Sequence, residues 1–218
     1  MNRDGSSLHQ VGNVETDCSR VSWGPSDRRL AFGGAPEGGN NATLWLVNID
    51  GSGVKRLLRG KGANAEGLHP TWSPNGRRIV FGWTAGRPGA NGLASIRPDG
   101  TGLHVLIKPR RNHLDLYVLP AFSPDGKRLA FVHTDLSAAG RTELVVSSAD
   151  GTHRHTLLRL PFNPREQGTP SWSPNDRSLA FWRLCGQQAC ISTVPARGGK
   201  SRVLLRGYVQ PYWGPAGS

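Results

Sequence analysis

The sequence is poor in acidic residues, in sulfur and in long apolar segments. It has 15 Asp and Glu against 27 Lys and Arg, with one Met and three Cys in 218 residues. No run of about 18 apolar residues occurs, so no transmembrane helix is predicted. No basic segment followed by an apolar one opens the chain, so no signal peptide is predicted in this sequence. Helical periodicity is also missing, and the expectation is an all-β fold.

Catalytic signatures are equally scarce. The sequence has no G-x-S-x-G nucleophile elbow, no H-E-x-x-H metal motif and no phosphate-binding loop. These absences favour a non-catalytic protein over an enzyme, and no cofactor or metal is predicted. The residues His69, His113, His133, Asp115 and Asp135 are candidates for an acid–base or metal cluster, but nothing in their spacing requires one.

What the sequence does have is a repeat of about 50 residues. Its most regular segment occurs at 21–32, 70–81, 120–131 and 170–181, and a fifth copy begins at 211. Each copy has an aromatic anchor near its start, and these anchors are Trp23, Trp72, Phe122, Trp172 and Trp213. A period of this size is typical of propellers and other repeat folds.

Each repeat is predicted to form four short strands. The anchor ends a first strand, and turn residues such as Pro74-Asn75-Gly76 separate it from a second strand such as 78–83. Third strands are predicted at 44–49, 93–97, 143–148 and 190–194, and fourth strands at 55–58, 103–107, 155–158 and 202–205. Asp-Gly turns join the third strand to the fourth in three of the copies. Four antiparallel strands per repeat predict a β-propeller of four-stranded antiparallel blades.

The repeats predict a single propeller domain over residues 1–218. Complete blades are expected at 20–60, 69–108, 119–160 and 169–207, with the end of a blade at 1–19 and a further first strand at 209–218. The chain is either a fragment of a six- to seven-bladed ring or a ring closed at five. The fragment is favoured, because a shared fifth blade would lack its second strand and most of its third.

The repeated segment W-S-P-[DN]-G-[KR]-x-[IL]-[AV]-F, with its later D-G turn, resembles the TolB-like β-propeller repeat, a WD40-like or PD40 repeat. The same repeat occurs in the propellers of prolyl-oligopeptidase-type enzymes. The resemblance covers nearly the whole chain and implies a bacterial setting outside the cytoplasm, periplasmic or extracellular. It does not decide the function, because propellers host many unrelated activities.

The long, irregular connections predict where a ligand binds. Those from second to third and from fourth to first strands share one face, which we call the loop-rich face, whereas the opposite tight-turn face carries the short turns. Residues before the anchors and at the ends of the second strands should form a polar and aromatic rim there. The candidate binding residues are Arg20, His69, Trp83, His133, Asp135, Thr169, Trp182, Arg183 and Gln210.

These observations favour a monomeric, non-catalytic scaffold that recognises a protein or peptide on its loop-rich face. Two alternatives remain. The chain is a substrate-gating propeller domain of a prolyl-oligopeptidase-like hydrolase, or it is a metal-dependent catalytic propeller.

The net charge of +12 allows two interpretations. A basic protein can bind a polyanion, but many of these cations lie in or beside the fourth strands, where charge prevents edge-to-edge aggregation. A solvated basic rim is therefore favoured, with weak polyanion binding as the alternative. Nucleic acid is not an expected partner, since no basic groove interleaved with aromatic residues occurs.

The cysteines carry one structural prediction. Cys185 and Cys190 bracket a hairpin loop, so their sulfurs are expected to face each other across paired strands as a disulfide. Such a bond indicates an oxidising compartment, and two unpaired thiols are the alternative. Cys18 is left over, either as a free thiol or with a partner elsewhere.

Overall fold

A computed structural model of the protein describes residues 21–35, 43–58, 69–84, 91–110, 113–137, 140–160 and 170–207. Within these ranges every helix-or-strand element is a β-strand, as predicted. The strands are β1 (Ser22–Trp23), β2 (Arg29–Gly34), β3 (Thr43–Asn48), β4 (Lys55–Arg56), β5 (Thr71–Trp72), β6 (Ile79–Trp83), β7 (Gly92–Ile96), β8 (His104–Ile107), β9 (Asp115–Phe122), β10 (Arg128–Asp135), β11 (Arg141–Ser148), β12 (His155–Leu160), β13 (Ser171–Trp172), β14 (Ser178–Cys185), β15 (Gln188–Pro195) and β16 (Arg202–Arg206).

These strands form four antiparallel sheets of four consecutive strands each, β1–β4, β5–β8, β9–β12 and β13–β16. The sheets are the predicted blades, and we number them one to four in chain order. The terminal segments 1–19 and 209–218 lie outside the described residues. In the part of the chain that is described, no helix has the length and apolar character needed to cross a membrane.

The third blade begins earlier than the sequence predicts. Its first strand starts at Asp115, not near residue 119, and spans eight residues. Pairing with β10 slips after the pair Ala121 and Ala130, and it resumes at Val118 and Val132. Leu119 lies in this bulge with a positive φ of 56°. A bulge lets a strand continue beyond an irregular point, so the residues before it remain part of the sheet.

The core lies between the blades. Phe81, Phe131 and Phe181 are each at most 1% exposed. Each belongs to an apolar cluster with the preceding blade; Phe81, for example, shares one with Leu44 and Leu46 of β3. Burying a side chain of this size stabilises the fold by roughly 1.5–3 kcal/mol. A blade with two apolar faces therefore requires a neighbour on each side.

Three of the aromatic anchors contribute to the same interfaces, and one of them, Phe122, packs against the cluster between the second and third blades. Trp72 and Trp172 are each 6% exposed, and the indole Nε1 of Trp172 donates to the carbonyl oxygen of Ala121 at 3.0 Å. Trp23, the anchor of the first blade, is 57% exposed.

The tight turns need left-handed backbone. In the turn after each anchor, Gly76 has a φ of 68°, and Asp27 takes the equivalent position in the first blade with a φ of 53°. In the Asp-Gly turn of the third blade, Gly151 has a φ of 82°. A Cβ at Gly151 would lie 2.9 Å from the carbonyl oxygen of Leu106 in the preceding blade. This glycine therefore serves a close approach between blades as well as a turn.

Cys185 and Cys190 are joined by a disulfide in the structure, with their Cα atoms 6.0 Å apart. The hairpin turn is shorter than the bracketed loop suggests, because Cys185 pairs with Gln188 and Cys190 pairs with Arg183. The two sulfurs are therefore diagonal neighbours on one face of the hairpin and do not lie directly opposite each other. Cys18 lies outside the described residues.

We predict that Gly151→Ala destabilises the protein more than Gly198→Ala. Gly198 also has a positive φ, of 91°, but nothing lies within 4 Å of a Cβ added there. Both substitutions meet the left-handed backbone penalty of roughly 1–2 kcal/mol, and only Gly151→Ala adds the inter-blade clash, about 1–3 kcal/mol more. Chemical denaturation of the two variants measures the difference, and equal losses would show that the blades do not constrain this turn.

We predict that the Cys185–Cys190 bond forms in protein produced under oxidising conditions. Intact mass should then rise by two hydrogens on reduction. Cys185→Ser together with Cys190→Ser should lower the free energy of unfolding by about 2 kcal/mol, the chain-entropy value for so short a loop. An unchanged mass after reduction would contradict the bond.

Candidate functional site

The loop-rich end of the third blade gathers charged side chains from four segments. Asp115 begins β9 and lies opposite Asp135, the last residue of β10. Like charges directly opposite each other on paired strands are destabilising. Arg110, from the connection before β9, removes the conflict because its Nη2 lies 2.7 Å from Asp115 Oδ1 and 2.7 Å from Asp135 Oδ2.

Asp115 is the anchor of this cluster, and its side chain is fully buried. Its carboxylate accepts hydrogen bonds from the backbone N–H of Arg110 at 2.8 Å and from Arg110 Nε at 2.9 Å. Burial alone would raise the pKa of Asp115, but the bonds from Arg110 and His133 outweigh it and lower the pKa to about 2. The same two carboxylates hold the pKa of Arg110 above its usual value. The pair is therefore charged at any physiological pH.

His133 lies between two carboxylates. Its Nε2 is 2.9 Å from Asp115 Oδ1, and its Nδ1 is 3.5 Å from Glu143 Oε2. Its ring stacks on Tyr117, with centroids 4.4 Å apart and planes 10° from parallel. This arrangement follows from the register, because His133 pairs with Tyr117 on one side and with Glu143 on the other. The imidazole is thus fixed in position and orientation by three strands.

The second blade holds this end of β9 in place. The buried amide of Asn91 accepts from the backbone N–H of Tyr117 at 2.6 Å, and the backbone N–H of Asn91 donates to the carbonyl oxygen of Asp115 at 2.8 Å. Tyr117 also belongs to the apolar cluster between the second and third blades. The charged cluster is therefore attached to both blades and not to a free loop.

The exposed members of the cluster are hydrogen-bond donors. Arg110 is 47% exposed, His113 41% and Arg159 74%, whereas Asp135, His133 and Glu143 are only 14–15% exposed. His113 Nδ1 lies 3.7 Å from Asp135 Oδ2, and Arg159 Nε lies 3.2 Å from Glu143 Oε1. We call these seven residues the charged network: Arg110, His113, Asp115, His133, Asp135, Glu143 and Arg159. Buried or mostly buried carboxylates therefore hold nitrogen-containing side chains that face the solvent.

A small cavity of about 170 Å³ adjoins the charged network. Its lining includes Tyr117, His133, Glu143 and Arg154, with Phe131 beneath. Its walls therefore combine an aromatic base with hydrogen-bonding groups. This combination suits a single polar or aromatic side chain better than an extended small molecule.

The structure gathers only some of the predicted site residues. His133 and Asp135 lie in the charged network, and His69 is half-buried with a positive φ of 32°. Trp83 packs against the apolar core between the first two blades, and Arg183 Nε donates to Ser192 Oγ at 3.1 Å. Trp182 is half-buried in the fourth blade. Arg20, Thr169 and Gln210 lie outside the described residues.

The described residues of the rim expected from the sequence are thus divided among separate blades. Trp83, His133 and Arg183 each stand two residues after the buried Phe of their blade, so they are equivalent positions of three different blades. Among the described residues, none of these three side chains forms a hydrogen bond, ion pair or ring contact with another of the three. Trp83 packs at the interface between the first two blades, His133 belongs to the charged network, and Arg183 is bound within the fourth blade.

The cluster considered in the sequence does form, with a different centre. His113, His133, Asp115 and Asp135 come together as that hypothesis required, whereas His69 lies just before β5 in the second blade. The sequence interpretation missed Arg110, which occupies the centre between the carboxylates. Among the described residues no group of three His, Cys, Asp or Glu is arranged to hold a metal ion.

Fold and repeat together define a β-propeller, and among the described residues a charged cluster lies at the loop-rich end of its third blade. The TolB β-propeller domain family matches residues 3–217, and the chain belongs to that family. No curated protein sequence matches the chain significantly.

Solved structures with the same fold have diverse names. TolB from Acinetobacter baumannii superposes with a TM-score of 0.72 at 17% identity, over 91% of this chain and 46% of that protein. An oligogalacturonate lyase in complex with manganese gives 0.66 at 12% identity, over 91% of this chain and 56% of the lyase. A puromycin-hydrolysing peptidase of Mycobacterium tuberculosis gives 0.63 at 15%, over 91% and 35%. At these identities the likeness establishes the fold alone, and the chain spans only part of each of the three.

We predict that Asp115→Asn destabilises the protein by about 2–3 kcal/mol, because it removes charge-assisted hydrogen bonds from a buried acceptor. The ionised Asp115 contributes stability that is complete above the unfolded pKa near 3.8 and is lost as the pH falls through about 2. Asp115→Asn should therefore flatten the acid limb of the stability profile. Asp50→Asn, at an exposed turn, is the matched control and should cause no comparable loss. Identical acid limbs in wild type and Asp115→Asn would contradict the assignment.

Proposed function

We propose that this chain is a non-catalytic scaffold that recognises a protein or peptide with the charged network on its loop-rich face. The observation that carries the proposal is Arg110, whose guanidinium is half exposed yet fixed by the fully buried Asp115. Arginine is enriched among residues that dominate binding energy. A side chain held in one geometry before binding loses little conformational entropy when the ligand arrives.

The free hydrogen-bonding groups indicate the chemistry of the ligand. Nε and Nη2 of Arg110 are engaged by Asp115 and Asp135, whereas Nη1 has no hydrogen bond with a described residue. His113 and Arg159 add further exposed donors. Such donors fit the acceptors of a polypeptide, namely main-chain carbonyls, carboxylates or a free C-terminus. The adjoining cavity of about 170 Å³ has room for one side chain of that polypeptide.

The proposal also includes a cellular location and an oligomeric state. The disulfide between Cys185 and Cys190 favours an oxidising compartment, which agrees with a periplasmic or extracellular bacterial location. The chain acts as a monomer, and the basic rim binds polyanions only weakly.

The proposal is tested by removing the exposed donors of the charged network. Wild type, Arg110→Ala with His113→Ala, and Lys127→Ala with Arg177→Ala are immobilised and exposed to extract of the source organism, and retained proteins are compared by mass spectrometry. The second pair removes two exposed cations from the tight-turn face and is the matched control. We expect a protein that wild type and the control retain and the first pair loses, with its affinity reduced at least about tenfold.

Two outcomes would count against the scaffold. If the control also fails to retain that protein, the binding is non-specific electrostatic attraction. Retention by both pairs would place the binding surface away from the charged network. Melting temperatures of all three proteins are measured in parallel, so that unfolding is not mistaken for loss of binding.

The alternative functions have a different signature. A substrate-gating domain of a prolyl-oligopeptidase-like hydrolase requires a nucleophile elbow elsewhere in the same polypeptide, as the similarity in fold to the puromycin-hydrolysing peptidase suggests. A metal-dependent catalytic propeller requires stoichiometric metal, as the fold of the manganese-bound lyase suggests. Sequencing the gene on both sides of this segment tests the first alternative. Elemental analysis of purified protein tests the second.

A further inference from the structure

The tight-turn face carries a groove of about 570 Å³ between the first and second blades. Four cationic side chains line it: Arg29 and Lys55 from the first blade, and Arg77 and Arg97 from the second. All four are exposed. Leu46, Val47 and Pro98 supply an apolar part of the wall. The groove is therefore a concave site with converging positive charge on an aliphatic support.

These charges are not neutralised within the described structure. None of the six ion pairs formed by the described residues includes any of the four cations. Asp99 is the one carboxylate among the ten lining residues. Its Oδ1 accepts from the backbone N–H of Thr101 at 2.8 Å and from Thr101 Oγ1 at 2.7 Å. The groove is left with a lining charge of +3, four cations against one anion.

Three of the four cations already have an orienting contact, and that of Arg97 is a hydrogen bond from its Nη1 to Thr101 Oγ1 at 3.5 Å. The Nζ of Lys55 donates to the carbonyl oxygen of Asp99 at 2.6 Å, which joins the two blades across the groove. The guanidinium of Arg29 lies over the ring of Trp72, 5.5 Å from its centroid. No side-chain hydrogen bond of Arg77 is formed with a described residue, so its guanidinium has its full set of donors for a ligand.

The neighbouring blades show that the fold does not require this charge. An equivalent groove of about 470 Å³ lies between the second and third blades. There His104 stands where the first groove has Lys55, and Ser148 stands where it has Arg97. Its lining is more apolar and includes Leu106 and Phe122. The turn residues Asp99-Gly100 and Asp150-Gly151 are the same in both grooves. The second groove keeps Arg77 and Arg78 in its lining, so with Asp150 its lining charge is +1 against +3 in the first groove, and the excess comes from positions such as 55 and 97.

We propose that the groove between the first two blades binds an anion that carries phosphate groups. Arginine pairs with phosphate through two parallel hydrogen bonds. Each phosphate monoester has a charge of roughly −1.5 to −2 at neutral pH, so two such groups match the lining charge, whereas carboxylates would have to supply three. The volume exceeds that of one phosphate and lies in the range of small-ligand sites, so the apolar wall contacts the organic part of the ligand.

This site is independent of the charged network, since it lies on the opposite face. Its ligand is either a free phosphorylated compound or the headgroup of an anionic lipid, and the shared chemistry is the phosphate. Because the cations are exposed, the affinity falls as ionic strength rises.

The test uses tripolyphosphate as the probe and calorimetry at low salt. Lys55→His with Arg97→Ser installs the residues that the next blades carry at these positions. Lys127→Ser with Arg177→Ser removes the same charge from the same face outside the groove and is the matched control. We expect the first pair to bind at least about tenfold more weakly than wild type, and the control to bind within about twofold. Equal weakening in both pairs, or no binding by wild type, overturns the proposal.

Two further measurements guard the test against misfolding and against non-specific anion binding. Arg77→Ala alone is a second groove variant in case the first pair does not fold, and it should also weaken binding. Citrate is the non-phosphate anion, and an affinity for citrate equal to that for tripolyphosphate overturns the phosphate assignment.

Vesicles distinguish the two sources of the phosphate. A lipid headgroup is supported if wild type binds phosphatidylcholine vesicles only when they contain phosphatidylglycerol and the first pair does not bind them. Binding of tripolyphosphate without binding of those vesicles supports a free phosphorylated compound.

Discussion

In each blade the second strand is apolar on both faces, and both faces must be buried. The rest of this structure depends on that constraint. Phe81, Phe131 and Phe181 are covered by the preceding blade, and the opposite face of each inner sheet is covered by the next. A sheet that is apolar on both sides gains little by folding alone, because half of its apolar area would stay in water. Stability in a repeat protein therefore comes largely from contacts between neighbouring units.

This constraint no longer applies where the second strands extend beyond the core, and there the blades differ in their side chains. The position two residues beyond the buried Phe is Gly34, Trp83, His133 and Arg183 in successive blades. Trp83 extends the apolar interface, whereas His133 is enclosed by carboxylates. The backbone geometry at this position is the same in the four blades, so the identity of the side chain determines what the position can bind. Among the described residues, the only buried acid is Asp115, which belongs to the longer first strand of the third blade.

The repeat explains how much the sequence could predict. The strands recur with their turns in register, so the predicted third and fourth strands agree with the observed ones to within about two residues. The charged network was harder to predict, because Arg110 and His113 lie in an irregular connection between a fourth and a first strand, where the sequence does not follow the repeat. Asp115 was expected to precede the strand, and its burial follows from a bulge at Leu119 that no local pattern indicates. The diagonal register of Cys185 and Cys190 likewise depends on where the hairpin turns.

The two faces use their carboxylates in different ways, and this difference determines where positive charge stays free. On the loop-rich face, Asp115 and Asp135 bind cations from other segments, so Arg110 is already paired. Asp135 also accepts from the backbone N–H of Ser137 at 2.9 Å, but its second oxygen remains available to Arg110. On the tight-turn face, Asp50 and Asp99 bind the hydroxyl and backbone N–H of the residue two positions later. Those side-chain hydrogen bonds are the main reason that the pKa of each is lowered.

Turn formation therefore engages the acids that would otherwise pair with neighbouring arginines. The same Asp-Gly turn that closes a blade leaves the cations around it without a local partner. A net charge of +12 thus has different consequences on the two faces. On the loop-rich face the cations are fixed and partly neutralised, which favours specific recognition of a polypeptide. On the tight-turn face they are exposed and unpaired with described acids, which favours attraction of anions over longer distances.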